Sequence, residues 1–437
     1  MQVIEKERHV DITLSAEQEA LFQIMEHTRE HMFITGHAGT GKSCWLDYAR
    51  TYTKKRAVVV ASTGIAAVNV KAKTIHSLFG LAPRLHQKGT LPKNSRICTI
   101  LSRVEIIFID EGSMVRADLL DALDERMQEA CHNTLPFGGV QVVIIGDPYQ
   151  LPPVVEEGLV DYFEDIYGGH FFFHALVWKQ CTFKIYELTQ IFRQEDPVFK
   201  QILNAVRDGT ITDTQLDQLN TCYGRVLPNE GTVTLATKNA LVTEINQRRL
   251  DALPGKEYTY TATLSGEMKK SMFPTEEHLH LKEGAQVILL RNDMDGRWVN
   301  GSVGIIEELT EEKVTIRLGT HIYQVQQETW EEIEYTYDPS TRSVEMVVVS
   351  SFTQYPLRLG YAVTVHKSQG QTYTQVVLDL TAVPFAAGQL YVALSRCTSM
   401  QGLSLTVPVT RKHIIVDPKV TEFMLRQEII IKEGSAL

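Results

Sequence analysis

"MFITGHAGTGKSCWLDYAR", residues 32–50, decides the fold. A short apolar run ends at Gly36, a Gly-rich loop follows, and a helical pattern begins at Lys42. The loop fits G-x-x-x-x-G-K-[ST], in which backbone N–H groups close around a phosphate. Gly36, Gly39 and Gly41, with Thr40 between the last two, let the backbone approach an anion closely. Lys42 would reach the β- and γ-phosphates and the Ser43 hydroxyl would ligate Mg²⁺. The stretch therefore implies a site for a nucleoside triphosphate.

The same alternation continues outward. "AVVVAS" (57–62), "IIFID" (106–110) and "VQVVIIGD" (140–147) read as strands of a parallel sheet buried on both faces. "KSCWLDYARTYTK" (42–54) and "ADLLDALDERMQEACH" (117–132) read as the helices between them. Residues 1–180 are thus expected to form a doubly wound α/β domain with ligand loops at the carboxyl ends of its strands. The pattern resumes in "FKIYEL" (183–188), "TVTLAT" (232–237), "YAVTV" (361–365) and "QVVLDL" (375–380). With helices at "PVFKQILNAVRDG" (197–209) and "NALVTEINQRRLDAL" (239–253), it predicts a second α/β domain over 181–253 and 351–437. Residues 254–350 differ: "AQVILLRND", "VGIIEEL", "KVTIRLG" and "IYQVQQETW" are hairpin-length strands, read as a small all-β barrel inserted in that second domain.

Composition excludes several classes. With 43% hydrophobic and 22% charged residues among 437, the chain is an ordinary globular protein of several domains. "MQVIEKERHVD" has no apolar signal-peptide core, and no apolar run approaches a membrane span. The six cysteines form no C-x-x-C pair, which suits a reducing compartment. The expected location is a bacterial-type cytoplasm or nucleoid, or the nucleus or mitochondrion of a eukaryote, with no targeting segment seen. The histidines form no H-E-x-x-H set, and "HLH" (278–280) reads as a solvated strand face. The net charge of -10 is uneven: Glu276 to Glu345 holds 15 Asp/Glu against 6 Lys/Arg, leaving 38 against 37 elsewhere. A near-neutral body with an acidic module still accommodates basic grooves and stacking contacts for single strands.

Four further stretches suggest hydrolysis. "IIFIDEGSM" places Asp110 to hold the Mg²⁺ shell and Glu111 to orient and deprotonate water, where an isolated Asp-Glu would only cap a helix. In "GDPYQLPPV" (146–154) Gln150 could hydrogen-bond a γ-phosphate; the other reading is a Pro-rich turn capped by Asp147. Arg193 in "LTQIFRQ" and Arg396 in "GQLYVALSR" could act as arginine fingers, or as surface ion pairs. A last loop, "GYAVTVHKSQGQT" (360–372), also has a phosphate-facing composition.

Together with "ASTGIAA" (61–67), "TIHSLFG" (74–80) and "PFGG" (136–139), these stretches follow the order of superfamily-1 helicase motifs. Their spelling most resembles the petite-integration-frequency (PIF) family of DNA helicases, from about Leu14 to Arg396. The resemblance implies two RecA-like P-loop domains and an ATP-dependent helicase that translocates on single-stranded DNA 5′ to 3′, with ATP and Mg²⁺ as cofactors. It implies that Gln18, in "LSAEQEALF" (14–22), reads the adenine edge and that Arg193 and Arg396 reach the γ-phosphate. Thr63, Thr74, His76, Thr364 and His366 match positions that grip the DNA backbone, and Gly370 one that approaches the nucleotide. The 364–372 loop would then face DNA and the ATP cleft at once. Near 80–100 the family inserts a strand-separating wedge; here it is short, with Arg84, Lys88, Lys93 and Arg96, and reads equally as a solvated connector. Trp298, Tyr323 and Trp330 read as barrel core rather than base platforms. Expected partners are single-stranded DNA and single/double-strand junctions, with a monomer as the default and no membrane. A RecD-type or RNA-preferring helicase, or a nucleotide-switched single-strand binder, fits the same motifs. The chain stops soon after the last motif, so the accessory domains of larger relatives are not expected.

Overall fold

The computed structural model describes residues 13–62, 72–268, 270–291, 293, 295–298, 300–338, 343–427 and 429–430. Its largest sheet has seven strands, ordered Ile429–Ile430, Phe183–Leu188, His31–Gly36, Gln141–Ile145, Ile106–Asp110, Ala57–Ala61, Lys73–Thr74. All are parallel. The central strands Ile106–Asp110 and Gln141–Ile145 are buried at every position, as continuous branched runs require when helices cover both faces. A second parallel sheet is ordered Ala362–Thr364, Val233–Ala236, Val376–Asp379, Leu403–Leu405. Two P-loop-type α/β layers with a β-rich insertion are therefore present.

The strand Phe183–Leu188 corrects the sequence reading. Expected to open the second domain, it pairs along its whole length with His31–Gly36 in the first sheet. Parallel strands buried on both faces look alike in sequence, so strand order is not written in the pattern. The far end of the chain makes a second correction. The helix Pro418–Arg426 buries Val420, Phe423 and Met424 in the first domain's core, and Ile429–Ile430 extends its sheet. The chain leaves the first sheet at Leu188 and returns to it beyond Pro418.

The insertion is built on a five-stranded antiparallel sheet, with a three-stranded and a two-stranded sheet beside it. The five-stranded one takes in Leu357–Leu359, past the expected limit at residue 350. Trp298 lies in the core of the insertion and Tyr323 packs on it; Trp330 is buried against Phe352. In His278–Leu281 both histidines are exposed and both leucines buried, as expected of a solvated strand face. All six cysteines are free thiols. Among the described residues no helix is long and apolar enough to cross a membrane, and no metal-type cluster of His, Cys, Asp and Glu occurs.

Candidate active site between the two α/β layers

The Gly-rich loop joins His31–Gly36 to the helix Lys42–Tyr52. A Cβ on Gly39 would sit 2.6 Å from the Arg193 Cβ, and one on Gly41 2.6 Å from the Gln18 Nε2. Both residues also have positive φ, so only glycine closes this turn. Lys42 donates its ammonium to the Gly36 carbonyl (2.6 Å) and the His37 carbonyl (2.9 Å). Burial pushes its pKa down to about 8, against the opposing pull of Asp147 and Glu111. Ser43 is exposed at the start of the helix.

Asp110 ends its strand and Glu111 follows with φ 49°, ψ 47°, a left-handed conformation that costs a non-glycine residue energy; the charges of Arg396 and Lys42 act on its carboxylate. Burial raises the pKa of both. Arg396 and then Lys42 act against burial at Glu111. A carboxylate pair, Asp110 buried and Glu111 half-buried, beside a Gly-rich cradle that added Cβ atoms would fill suits a nucleotide with a divalent cation. Asp110 and Ser43 are the residues that would hold Mg²⁺, which neutralises developing charge on phosphate oxygens when bound.

Arg193 and Arg396 converge on this cleft. Burial and the neighbouring Arg396 push Arg193 down to about 9. Arg396 is only 2% exposed, and its guanidinium donates to Val392, Ser368 and Gln371 carbonyls (3.0, 3.5 and 3.3 Å). Two arginines crowded this way mark a place for an anion. Gln150 is buried where the backbone of Gly388 approaches it. Gln18 caps its own helix through Oε1, donates to the Thr40 carbonyl at 3.3 Å, and so holds the loop from behind. Reading a base edge would require it to exchange one of these partners.

The remaining described residues sit on other elements. Thr74 caps the helix Ile75–Phe79, and His76 is half-buried with a pKa lowered by burial, then by His86 and Arg116. Thr364 is buried at a strand end and accepts from the Lys367 N–H; His366 stands beside the exposed ring of Phe385. Gly370 is exposed with φ 74°. Thr63 lies outside the described residues. Arg84, Lys88, Lys93 and Arg96 are exposed, and the segment carrying them is strapped to the helix Ala117–Cys131 through Asp118, Glu125 and Arg126. Its helix Ser95–Leu101 lies against the insertion's long strand Glu328–Asp338.

Sequence reasoning missed a buried cross-domain set. Asp147, read as a cap, is paired with Arg207 at 3.0 Å and receives the Tyr391 hydroxyl at 3.1 Å. His37 meets Asn204 at 2.6 Å. The only local signal was an Asp beside the Gln150 turn; the partners are 60 and 244 residues away.

A phosphate loop, a carboxylate pair and two arginines between two parallel α/β layers define a motor ATPase of the helicase class. Residues 13–217 match the model of the PIF1-like helicases and residues 265–309 that of the DNA helicase Pif1 2B domain. The ATP-dependent DNA helicase Pif1 of Bdellovibrio bacteriovorus is 32% identical over 94% of this chain and 92% of its own. The crystal structure of Bacteroides sp Pif1 in complex with ADP-AlF4 superposes with TM-score 0.86 at 33% identity, over 95% of this chain and 97% of that one. Bacteroides Pif1 bound to ssDNA gives 0.72 at 34% identity, with the same coverage. The chain belongs to the PIF1-like helicase family and is an ATP-dependent DNA helicase.

Proposed function

We propose that this chain walks on single-stranded DNA in the 5′-to-3′ direction, opening duplex at single/double-strand junctions, and that one chain suffices because it supplies both walls of the ATP cleft. Lys42 and the loop N–H groups hold the phosphates, Glu111 activates water, Gln150 senses the γ-phosphate, and Arg193 and Arg396 neutralise transition-state charge. Gln18 and Gly370 flank the nucleotide. Thr63, Thr74 and His76 grip the strand from the first domain, Thr364 and His366 from the second. The six free thiols accord with a reducing compartment such as a bacterial cytoplasm.

The observation that carries this reading is the double attachment of Arg396. Its charge acts on Glu111 in the ATP cleft, while its guanidinium holds the Ser368 and Gln371 carbonyls of the 364–372 loop. Movement of a γ-phosphate at Glu111 is thereby carried into the loop that includes Thr364 and His366. The lower similarity to the ssDNA-bound relative than to the nucleotide-analogue complex accords with domains that rearrange on the strand.

The test is ATP turnover with and without single-stranded DNA, with matched RNA as control, followed by strand displacement from substrates with a 5′ or a 3′ tail. Stimulation by DNA and displacement from the 5′ tail alone are expected. Displacement from the 3′ tail would overturn the polarity. RNA-selective stimulation would replace the DNA track by an RNA one, and DNA-stimulated turnover without displacement would favour a nucleotide-switched binder.

A further inference from the structure

The phosphate loop is held from both domains. Its His37 ring nitrogen Nδ1 meets the Asn204 amide oxygen at 2.6 Å, and its Ala38 N–H donates to the Tyr391 hydroxyl at 2.7 Å. Asn204 belongs to the helix Pro197–Asp208 and Tyr391 to the short helix Gln389–Leu394, both packed in the second domain's core. The Tyr391 hydroxyl in turn donates to Asp147 Oδ2 at 3.1 Å. Arg207 grips the same carboxylate with Nη2 at 3.0 Å and Nε at 3.2 and 3.3 Å, while its guanidinium lies 4.2 Å from the Tyr149 ring centroid.

All three side chains are nearly sealed from solvent: Asp147 is 1% exposed, Tyr391 2% and Arg207 5%. Burial alone would raise the Asp147 pKa, but Arg207 and Lys42 outweigh it and keep the carboxylate ionised. A buried charge pair of this kind is weak evidence for stability, since desolvation offsets most of its attraction. It does tie register, because shifting the Arg207 helix strands a buried charge and shifting the Tyr391 helix leaves the Ala38 N–H without its partner.

We infer that Asp147, Arg207 and Tyr391 form a positioning latch that sets Arg396 against the nucleotide. Tyr391 lies within the helix Gln389–Leu394 and Arg396 two residues beyond its end, tied back to it through the Val392 carbonyl, so the hydroxyl that touches the loop at Ala38 anchors the segment that carries the arginine. The helix can seat there because Gly388 at its start comes within Cβ-clash distance of the Tyr149 and Gln150 carbonyls. Asp147 lies at the turn of Gln150, so the γ-phosphate sensor, the phosphate loop and the finger helix share one carboxylate. The latch does not touch the reacting atoms; it acts through Arg396, and it rests on the reading of Arg396 as a finger.

The test compares Tyr391→Phe, Arg207→Lys and Arg396→Ala with the full wild-type chain, measuring kcat and KM for ATP at saturating single-stranded DNA, base pairs displaced per ATP, and Tm. Tyr391→Phe removes one oxygen and keeps the ring. The latch predicts a kcat about tenfold lower, the scale of one hydrogen bond to a charged group lost from the activated state, with KM nearly unchanged and Tm only a few degrees lower, the cost of leaving the buried Ala38 N–H unpaired. Arg207→Lys keeps the charge but loses the two-armed grip, and is expected to lower kcat and the base pairs displaced per ATP together. Wild-type kcat in Tyr391→Phe, with Arg396→Ala inactive, would overturn the latch alone. Wild-type turnover in Arg396→Ala would overturn the finger reading, and the latch's target with it. A fall in kcat matched by an equal change in KM would reduce the set to a structural ion pair.

Discussion

Glu111 and Lys42 show how far single side chains can be assigned. Glu111→Gln keeps the size and hydrogen bonding of the side chain but removes the base. It is expected to bind Mg-ATP and to turn over at least about a hundredfold more slowly, as loss of a general base requires, measured by single-turnover hydrolysis. Full turnover would remove Glu111 from that role. Lys42→Ala should abolish turnover altogether. Lys42 also gives a pH signature. Its pKa in the fold is about 8, below the ordinary lysine value, so the charged form is the disfavoured one. As pH rises from 8 towards 10 the ammonium is lost: the ATP-free protein gains stability while ATP affinity falls. Binding ATP near pH 8.5, between those limits, should take up protons, which calorimetry in buffers of different ionisation enthalpy will detect. These residues were legible in the sequence because each chemistry sits within a few consecutive positions. Asp147 was not, since its meaning depends on Arg207 and Tyr391 from distant helices.

At the scale of elements, the Gln389–Leu394 helix has little room to move. Gly388 has φ 71°, and a Cβ there would lie 2.3 Å from the Tyr149 carbonyl oxygen and 2.6 Å from that of Gln150. Gly388→Ala is expected to cost about 2 kcal/mol from left-handed strain and the forced shift together. Denaturant unfolding will measure that cost, and DNA-stimulated turnover should fall as the helix is pushed off the Gln150 turn. An unchanged unfolding midpoint would show that the loop yields freely. Most strands were legible as elements because branched apolar runs ending in Gly, Ser or Asp have few other uses. Their neighbours were not. Phe183–Leu188 joined the first sheet because its register against His31–Gly36 is decided by packing from both faces, which periodicity does not encode.

For the molecule as a whole, the feature least visible in sequence is the return of residues 418–427 and 429–430 to the first domain. "PKVTEFMLR" is a short amphipathic helix of a kind found anywhere; only the structure stacks Phe423 on Phe173, with ring centroids 4.1 Å apart. Phe423→Ala is expected to destabilise the protein by about 3–5 kcal/mol, the range for emptying a buried phenylalanine site, measured by chemical denaturation. A loss below about 0.5 kcal/mol, within the range of surface substitutions, would mean the helix rests on the domain without supporting it. This return has a mechanical consequence. The second domain hangs from the first by two covalent crossings, after Leu188 and before Pro418, rather than by one. A body on a single tether can spin and drift, so each closure must search for its orientation again. Carried on two, it swings about the line between its anchors, and tension from the track is shared by two polypeptide straps.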